Sequence, residues 1–261
     1  MGEIPSSHPR RVSLLARQSL VDAAAEGLLA DSAMIAHGRG EAFDYLLGEV
    51  TSESAMSAIR ETSARLLSAE RPVISVNGNT VVLAGEDLIR VAAVVGCPIE
   101  VNLYYRTPER VSGLLGRLSE QREGVAAGVA PQGWSGDWRK AVESVALLGE
   151  AADHRIPGLE GPRAMCCWDG IGCADVVLVP LEDGDRCEAL VAAGKQVLVI
   201  DLNPLSRTSM TATVTIVDEV SRASSKLLDQ VVAGERESGY WDNVAALNAA
   251  LDIISDASVD V

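Results

Sequence analysis

Two uninterrupted apolar runs, Val176-Val177-Leu178-Val179 and Val197-Leu198-Val199-Ile200, constrain the fold of this chain more than any other feature. A strand with one wet face alternates apolar and polar side chains, whereas a run apolar at every position suits a strand of a parallel sheet covered on both faces. Between the runs, residues 188–193 read as a helix closed by Gly194, a residue suited to the left-handed cap. Residues 174–207 therefore form a βαβ unit. Ligands bind such sheets in the crevice at the carboxyl ends of the strands. Here one end carries Glu182, Asp183, Gly184, Asp185 and Arg186, and the next ends in Asp201, Leu202 and Asn203. Two readings fit these residues. Acidic and amide groups could hold a metal-nucleotide, with a phosphate at the helix amino terminus, or Asp183-Gly184 is a turn among solvated charges.

Similar runs recur. Residues 73–76, 99–103, 124–130 and 214–217 are further candidate strands, while helical spacing marks 10–29, 51–69, about 86–95, 141–151, 219–232 and 241–254. Thr107-Pro108-Glu109 opens another helix with cap, first-turn proline and first-turn acid in place. Six strands alternating with helices predict an α/β fold, a Rossmann-like parallel sheet with helices on both faces. The 261 residues suffice for one large core. A single domain is expected, with a helical amino-terminal segment at 1–70, a sheet core at 71–235 and a carboxyl-terminal helix at 239–255. Residues 4–9, rich in proline and serine, read as an extended arm. The stretch 124–165, with Trp134 and Trp138 among Gly, Ser and Asp, reads as a lid or insertion. Strand order is not legible.

Charge narrows the partners. A formal net charge of -15 and a pI near 4.6, with no Lys/Arg-rich run, argue against nonspecific binding to nucleic acid or an anionic membrane. The only lysines are Lys140, Lys195 and Lys226, so basic function falls to arginine, whose fork fits phosphate and carboxylate. Low lysine with excess acid suits a salt-rich cytoplasm, and a GC-rich coding bias would produce the same composition. Cys97, Cys166, Cys167, Cys173 and Cys187 show neither C-x-x-C nor paired Cys/His spacing, so they read as reduced, buried thiols rather than zinc ligands. No apolar run approaches the roughly 18 residues of a membrane span, and the amino terminus lacks the apolar core of a secretion signal. A cytoplasmic protein is expected.

Other segments carry polar groups suited to a ligand. Arg17 lies in the first helix, where a lone arginine is ordinarily solvated. Ala36-His37-Gly38-Arg39-Gly40-Glu41 reads as a loop ahead of a short helix at 42–47. Its glycines would let the backbone approach an anion while Arg39 clamps it, and a tight turn with a solvated arginine fits the same residues. His37 is either a general base or a packed loop residue. Asn77-Gly78-Asn79 follows a strand directly and reads as a strand-to-helix loop with ligand-facing amides.

Taken in order, IPSSHPR, IAHGRGEAFDYLLGE, PVISVNGN, NLYYRTPER, RIPGLE, VPLEDGDRCEALV and IDLNPLSR resemble the archaeal phosphopantothenate synthetases, also called 4-phosphopantoate:beta-alanine ligases. The resemblance runs from Ile4 to about Arg222 and is poor over 124–153 and in the carboxyl-terminal tail. It implies a cytoplasmic homodimer of coenzyme A biosynthesis that joins 4-phosphopantoate to beta-alanine. The implied cofactors are ATP, consumed as a substrate, and Mg2+, with AMP and diphosphate released by way of an acyl adenylate. ATP would be held by Arg17, Arg39, Glu182, Asp183, Gly184, Asp185, Arg186, Glu188, Asp201, Leu202 and Asn203, with Asp183 and Asp185 meeting the metal. His37 and Arg39 are the catalytic candidates, and Asn77, Asn79, Arg106 and Arg155 the candidates for the other two substrates. Cys187 stands where the family carries threonine, which would weaken any contact of that hydroxyl with phosphate.

Such chemistry develops charge on phosphoryl oxygens, so arginines and a metal can supply most of the catalysis without an enzyme nucleophile. Two other classes use a similar sheet: a nicotinamide-dependent oxidoreductase and a non-catalytic nucleotide-binding regulator. No G-x-G-x-x-G follows a predicted strand, which counts against the first. The second would bind ATP without consuming it.

Overall fold

The computed structural model describes residues 4–257. Helices α1 (Arg11–Ala25), α2 (Ser32–Leu46) and α3 (Glu53–Ser68) precede the first strand, β1 (Pro72–Val76). One half of the sheet follows through α4 (Gly78–Val95), β2 (Ile99–Val101), α5 (Pro108–Ala127), α6 (Trp138–Glu143) and β3 (Leu147–Leu148). A small insertion then contributes β4 (His154–Arg155), β5 (Met165–Cys166) and a wide turn at Trp168–Gly172. The other half comprises β6 (Val176–Pro180), α7 (Gly184–Ala192), β7 (Gln196–Ile200), α8 (Arg207–Thr211), β8 (Val214–Ile216) and α9 (Val220–Ala233), and α10 (Asn243–Asp256) ends the described chain.

The main sheet is parallel throughout, in the order β3-β2-β1-β6-β7-β8, and the insertion's pair is antiparallel. The chain builds outward from β1 to β3, returns to set β6 beside β1, and builds outward the other way. From β1 and β6 the crossovers therefore depart in opposite directions, and a crevice opens beyond their carboxyl ends. Alternation across the sheet divides the core in two. Ile74, Leu178, Leu198 and Ile216 pack with Ile59 of α3, Leu88 of α4, Leu114 of α5 and Leu227 of α9. On the opposite face, Val73, Val177, Val197 and Val199 meet Leu190 of α7 and Ile156 and Ile171 of the insertion. Neither face is wet, so the strands are apolar at every position, each buried Val or Leu contributing roughly 1.5–3 kcal/mol.

Several boundaries differ from expectation. α4 begins at Gly78 rather than near residue 86, because Asn77 caps it by accepting the Thr80 N–H at 3.1 Å and Val81, Ala84 and Leu88 already face the core. α7 likewise begins at Gly184, capped by Asp183, which accepts the Asp185 N–H at 3.1 Å. Residues 124–130 are not a strand: Val125 repeats the inward position of Leu118 two turns on and completes α5, and Trp138 Nε1 donates to the Val125 carbonyl at 3.1 Å. The edge strand β3 lies instead within 141–151, where a helix was expected and where α6 ends at Glu143. Trp138 is buried in the larger core, so residues 131–148 belong to the β2–β3 crossover, while the insertion expected within 124–165 is the segment that forms β4 and β5. Residues 4–9 are not extended; His8 N–H donates to the Pro5 carbonyl at 3.0 Å in a turn.

Candidate active site

Beyond the ends of β1 and β6 lies a cavity of about 410 Å³. Asn77-Gly78-Asn79 and Leu181-Glu182-Asp183 form its floor, and Tyr104, Tyr105 and Arg110 close one side. Its roof is a face of α2, where Ala33, Ala36, His37, Gly40 and Asp44 recur at helical spacing. The His37–Glu41 segment is therefore mid-helix and not the expected loop. Interior glycine costs about 1 kcal/mol in a helix, and α2 buries none of its own residues. Ion pairs fasten it instead. Arg17 Nε donates to both Glu41 oxygens at 2.8 Å, and Arg222 Nη2 donates to Asp44 Oδ1 at 2.5 Å. Gly40 admits Leu202, whose Cδ1 is 3.4 Å from where a β-carbon would stand.

The floor is held rigidly. Asn77 Oδ1 accepts from the Thr80 N–H and hydroxyl, each at 3.1 Å, while its Nδ2 donates to the Leu181 carbonyl at 2.9 Å. Asn77 is thus cap and latch, with both ends of its amide in use. Leu181 has φ 58°, a left-handed backbone rarely adopted by such a side chain. Glu182, nearly buried, accepts Arg186 Nε at 2.9 Å and Nη2 at 2.7 Å on one oxygen and the Asp183 N–H at 2.6 Å on the other. Asn79 donates to the Ala33 carbonyl at 3.0 Å, and its buried Oδ1 has no hydrogen-bond partner among the described residues.

Carboxylates outnumber cations around the cavity, yet each is already engaged. Glu41 has Arg17 and Ser13, Asp44 has Arg222, Glu182 has Arg186, Asp183 has Arg163, and Glu219 caps α9. Partial burial would raise the Glu41 carboxyl, but the hydrogen bonds from Arg17 and Ser13 hold it below the usual carboxylate range. Two guanidinium groups remain. Arg39 lines the cavity, exposed and without an ion pair or hydrogen bond among the described residues. Arg110 donates from Nη1 to the Tyr105 carbonyl at 2.5 Å and keeps a buried, unpartnered Nε; burial lowers its pKa from the ordinary value.

Of the residues singled out from sequence, His37, Arg39, Asn77, Asn79, Glu182, Asp183 and Leu202 line this cavity. The others stand behind or beside it. Arg17 reaches Glu41 rather than the cavity. Asp185 is taken by Arg163 at 3.1 Å and Arg207 at 2.6 Å, and Glu188 by Arg207 at 2.9 Å. A β-carbon at Gly184 would stand 2.8 Å from Arg207 Cβ, so this glycine lets α7 approach α8. Asp201 accepts the Asn203 N–H at 2.9 Å and the Ser206 hydroxyl at 2.5 Å, Asn203 accepts the Leu205 N–H at 2.9 Å, and burial pushes the Asp201 carboxyl up. These two side chains shape their own loop. Arg106 bonds the Gly149 carbonyl and lines a second, more open depression together with Tyr104, Tyr105 and Arg163. Arg155 sits in β4 with Nη1 at 3.2 Å from Met165 Sδ, in neither hollow. Cys187 is fully buried against the Thr208 carbonyl, its thiol pushed up to about 12 by burial, so the missing threonine hydroxyl faces no cavity.

No group of three or more His, Cys, Asp or Glu is arranged for a metal among the described residues. Arg163, Arg186 and Arg207 offset the carboxylates at 182–185, the role considered for a cation. Sequence reading missed Arg110 and Arg163. Arg110 had a signal, since it flanks the apolar positions Val111, Leu114 and Leu118 in the first turn of a helix at a strand's carboxyl end. Arg163 had none.

A parallel sheet, a crevice at the reversal of strand order and two guanidiniums within it that no carboxylate engages among the described residues agree with a phosphate-handling enzyme. The family model described as phosphopantothenate/pantothenate synthetase matches residues 54–256. The chain belongs to this family. It is similar to the 4-phosphopantoate--beta-alanine ligase of Methanospirillum hungatei, 46% identical over 86% of this chain and 83% of that protein. The ligase of the same name from Thermococcus kodakarensis is 45% identical, covering 98% and 94%, and that from Methanosarcina mazei is 42% identical, covering 98% and 96%. Family likeness thus reaches across 124–153 and into α10, beyond the limits expected from the motifs.

Proposed function

We propose that this chain joins 4-phosphopantoate to beta-alanine in the crevice beyond β1 and β6, at the expense of ATP. Relatives bearing that activity in their names are 42–46% identical over most of the chain, and the observation that carries the location is the pair of guanidiniums without a carboxylate partner among the described residues, Arg39 and Arg110, lining a cavity whose carboxylates are all engaged. A carboxylate oxygen of phosphopantoate attacks the α-phosphorus of ATP and diphosphate leaves. The beta-alanine nitrogen then attacks the acyl carbon, and AMP departs with that oxygen. Arg39 stabilises charge on the phosphoryl oxygens, and Arg110 with Asn79 holds an anionic substrate beside it. The beta-alanine ammonium must shed a proton before it attacks, and His37, whose Nε2 makes no hydrogen bond among the described residues and stands 3.9 Å from Glu41 Oε2, is the base we assign.

Mg2+ fits as a companion of the nucleotide. It is commonly held by one or two carboxylates together with phosphates, and Asp183 is the cavity carboxylate that would meet it, in exchange for its bond from Arg163; Asp185, engaged by two arginines outside the cavity, would not. Bound there, the ion would neutralise phosphate charge. The homodimer is also part of this reading. It is supported by apolar side chains left exposed on α1 and α2, among them Val12 at 77% and Ile35 at 66%. A cytoplasmic location belongs to this reading as well; no helix among the described residues is long and apolar enough to cross a membrane. A diphosphate-release assay with ATP, Mg2+, 4-phosphopantoate and beta-alanine, omitting each in turn, tests the function. ATP binding with no turnover in the full mixture would return the chain to the regulator class, and release without 4-phosphopantoate would refute activation of its carboxylate.

A further inference from the structure

Strand β2 and the residue that follows it bury two polar side chains that touch neither the cavity nor solvent. Glu100 and Asn102 are both fully buried, and their spacing of two turns them to one face of the sheet, towards the insertion. Glu100 Oε1 accepts the Cys167 N–H at 3.0 Å and Asn102 Nδ2 at 3.2 Å, and Oε2 accepts the Ile171 N–H at 2.8 Å. Asn102 Nδ2 also donates to the Met165 carbonyl at 3.0 Å, and its Oδ1 accepts Arg186 Nη1. Arg186 is 4% exposed and grips Glu182 with Nε and Nη2. A β-carbon at Gly170 would stand 2.2 Å from Glu100 Oε2, so the insertion closes on this carboxylate only with glycine there. Burial raises the Glu100 carboxyl from its usual range, opposed by the donors converging on it.

We propose that Glu100, Asn102 and Arg186 are positioning residues that fix Glu182 against the crevice from the insertion side, coupling the fold of residues 165–171 to the shape of the turn at 181–183. The inference rests on reading the crevice as the nucleotide site. A guanidinium is planar, so with Nη1 anchored on Asn102 the Nε/Nη2 edge points one way, and Glu182 cannot rotate without displacing Asn102. Buried charge clusters of this kind are weak sources of stability compared with apolar packing. What this one supplies is orientation, and it does so beside Leu181, whose strained backbone needs holding.

The test combines amide hydrogen exchange with steady-state kinetics on the full chain for Asn102→Ala and Glu100→Gln. The Asp183 N–H donates to Glu182 Oε1, so it reports the anchoring directly and needs no substrate. Both variants should speed exchange at Asp183 roughly tenfold or more, and raise the KM for ATP about tenfold while the KM for beta-alanine stays within about twofold. Glu100→Gln is the sharper variant, since residue 100 lies away from the cavity; faster exchange at Cys167 and Ile171 with Asp183 unchanged would overturn the coupling. If Asn102→Ala fails to fold, Glu100→Gln alone decides. A wild-type protein that releases no diphosphate would overturn the functional reading, while the exchange result would still judge the coupling.

Discussion

Replacing Asn77 separates stability from positioning at the floor of the crevice. Its Oδ1 caps α4 and its Nδ2 holds the Leu181 carbonyl at 2.9 Å. Asn77→Ala removes both. Losing the cap costs about 1 kcal/mol, and losing the bond to a half-buried carbonyl about another 1 kcal/mol. For a chain of this size each kcal/mol moves Tm by roughly 2–4 °C, so a drop of about 4–8 °C is expected. Asn77→Asp keeps the acceptor that caps the helix but sets a carboxylate oxygen against the Leu181 carbonyl. Its cap is intact, yet the strained Leu181 turn, holding of the order of 1–3 kcal/mol, loses its latch and Glu182 shifts. Asn77→Asp should therefore retain the cap's share, at most about half of the thermal stability that Asn77→Ala loses, while its kcat/KM for ATP falls about tenfold or more. Differential scanning calorimetry and diphosphate release measure the two effects. Wild-type kinetics in Asn77→Asp, or a Tm change below about 1 °C in Asn77→Ala, would refute the latch.

Other outcomes follow from the same geometry. Arg39→Lys keeps the charge but loses the fork, so kcat/KM should fall at least about tenfold with Tm unchanged; near-normal kinetics would make Arg39 a solvated helix residue. Asp175 accepts the Glu70 and Arg71 N–H groups, each at 2.9 Å, and although burial raises its carboxyl these bonds hold it below the ordinary value. Its stabilisation is present above the unfolded pKa of about 3.9 and is lost as pH falls through the lower folded value, so Asp175→Asn should cost stability in urea at pH 7 and nothing at about pH 2. An equal cost at both would contradict this. A net charge of -15 should be relieved by screening, raising Tm between about 0.1 M and 1 M KCl as the Debye length falls from roughly 10 to 3 Å; a flat trend would leave coding bias as the origin of the acidic composition.

The sheet was legible in the sequence because burial on both faces leaves a local mark, the unbroken apolar run. Strand order leaves no such mark, since pairing β1 with β6 brings together residues such as Ile74 and Leu178 that lie far apart in the chain. The helix through His37 and Arg39 was hidden because contacts with Arg17 and Arg222, distant in sequence, hold it against two glycines. Asp185, Asp201 and Asn203 engage an arginine or their own loop in the structure, and a side chain so engaged looks the same in sequence as one that meets substrate. Glu100 and Asn102 did leave a signal: two polar residues at alternate positions interrupt an otherwise apolar strand.

Carboxylate activation is the centre of this account, and oxygen transfer tests it most directly. With 4-phosphopantoate labelled by 18O in its carboxylate, ATP and beta-alanine, the mechanism predicts one labelled oxygen in the phosphate of AMP and none in diphosphate, read by mass spectrometry or 31P NMR. Label in orthophosphate, with ADP as the nucleotide product, would assign the chain to acyl-phosphate chemistry and contradict the adenylate.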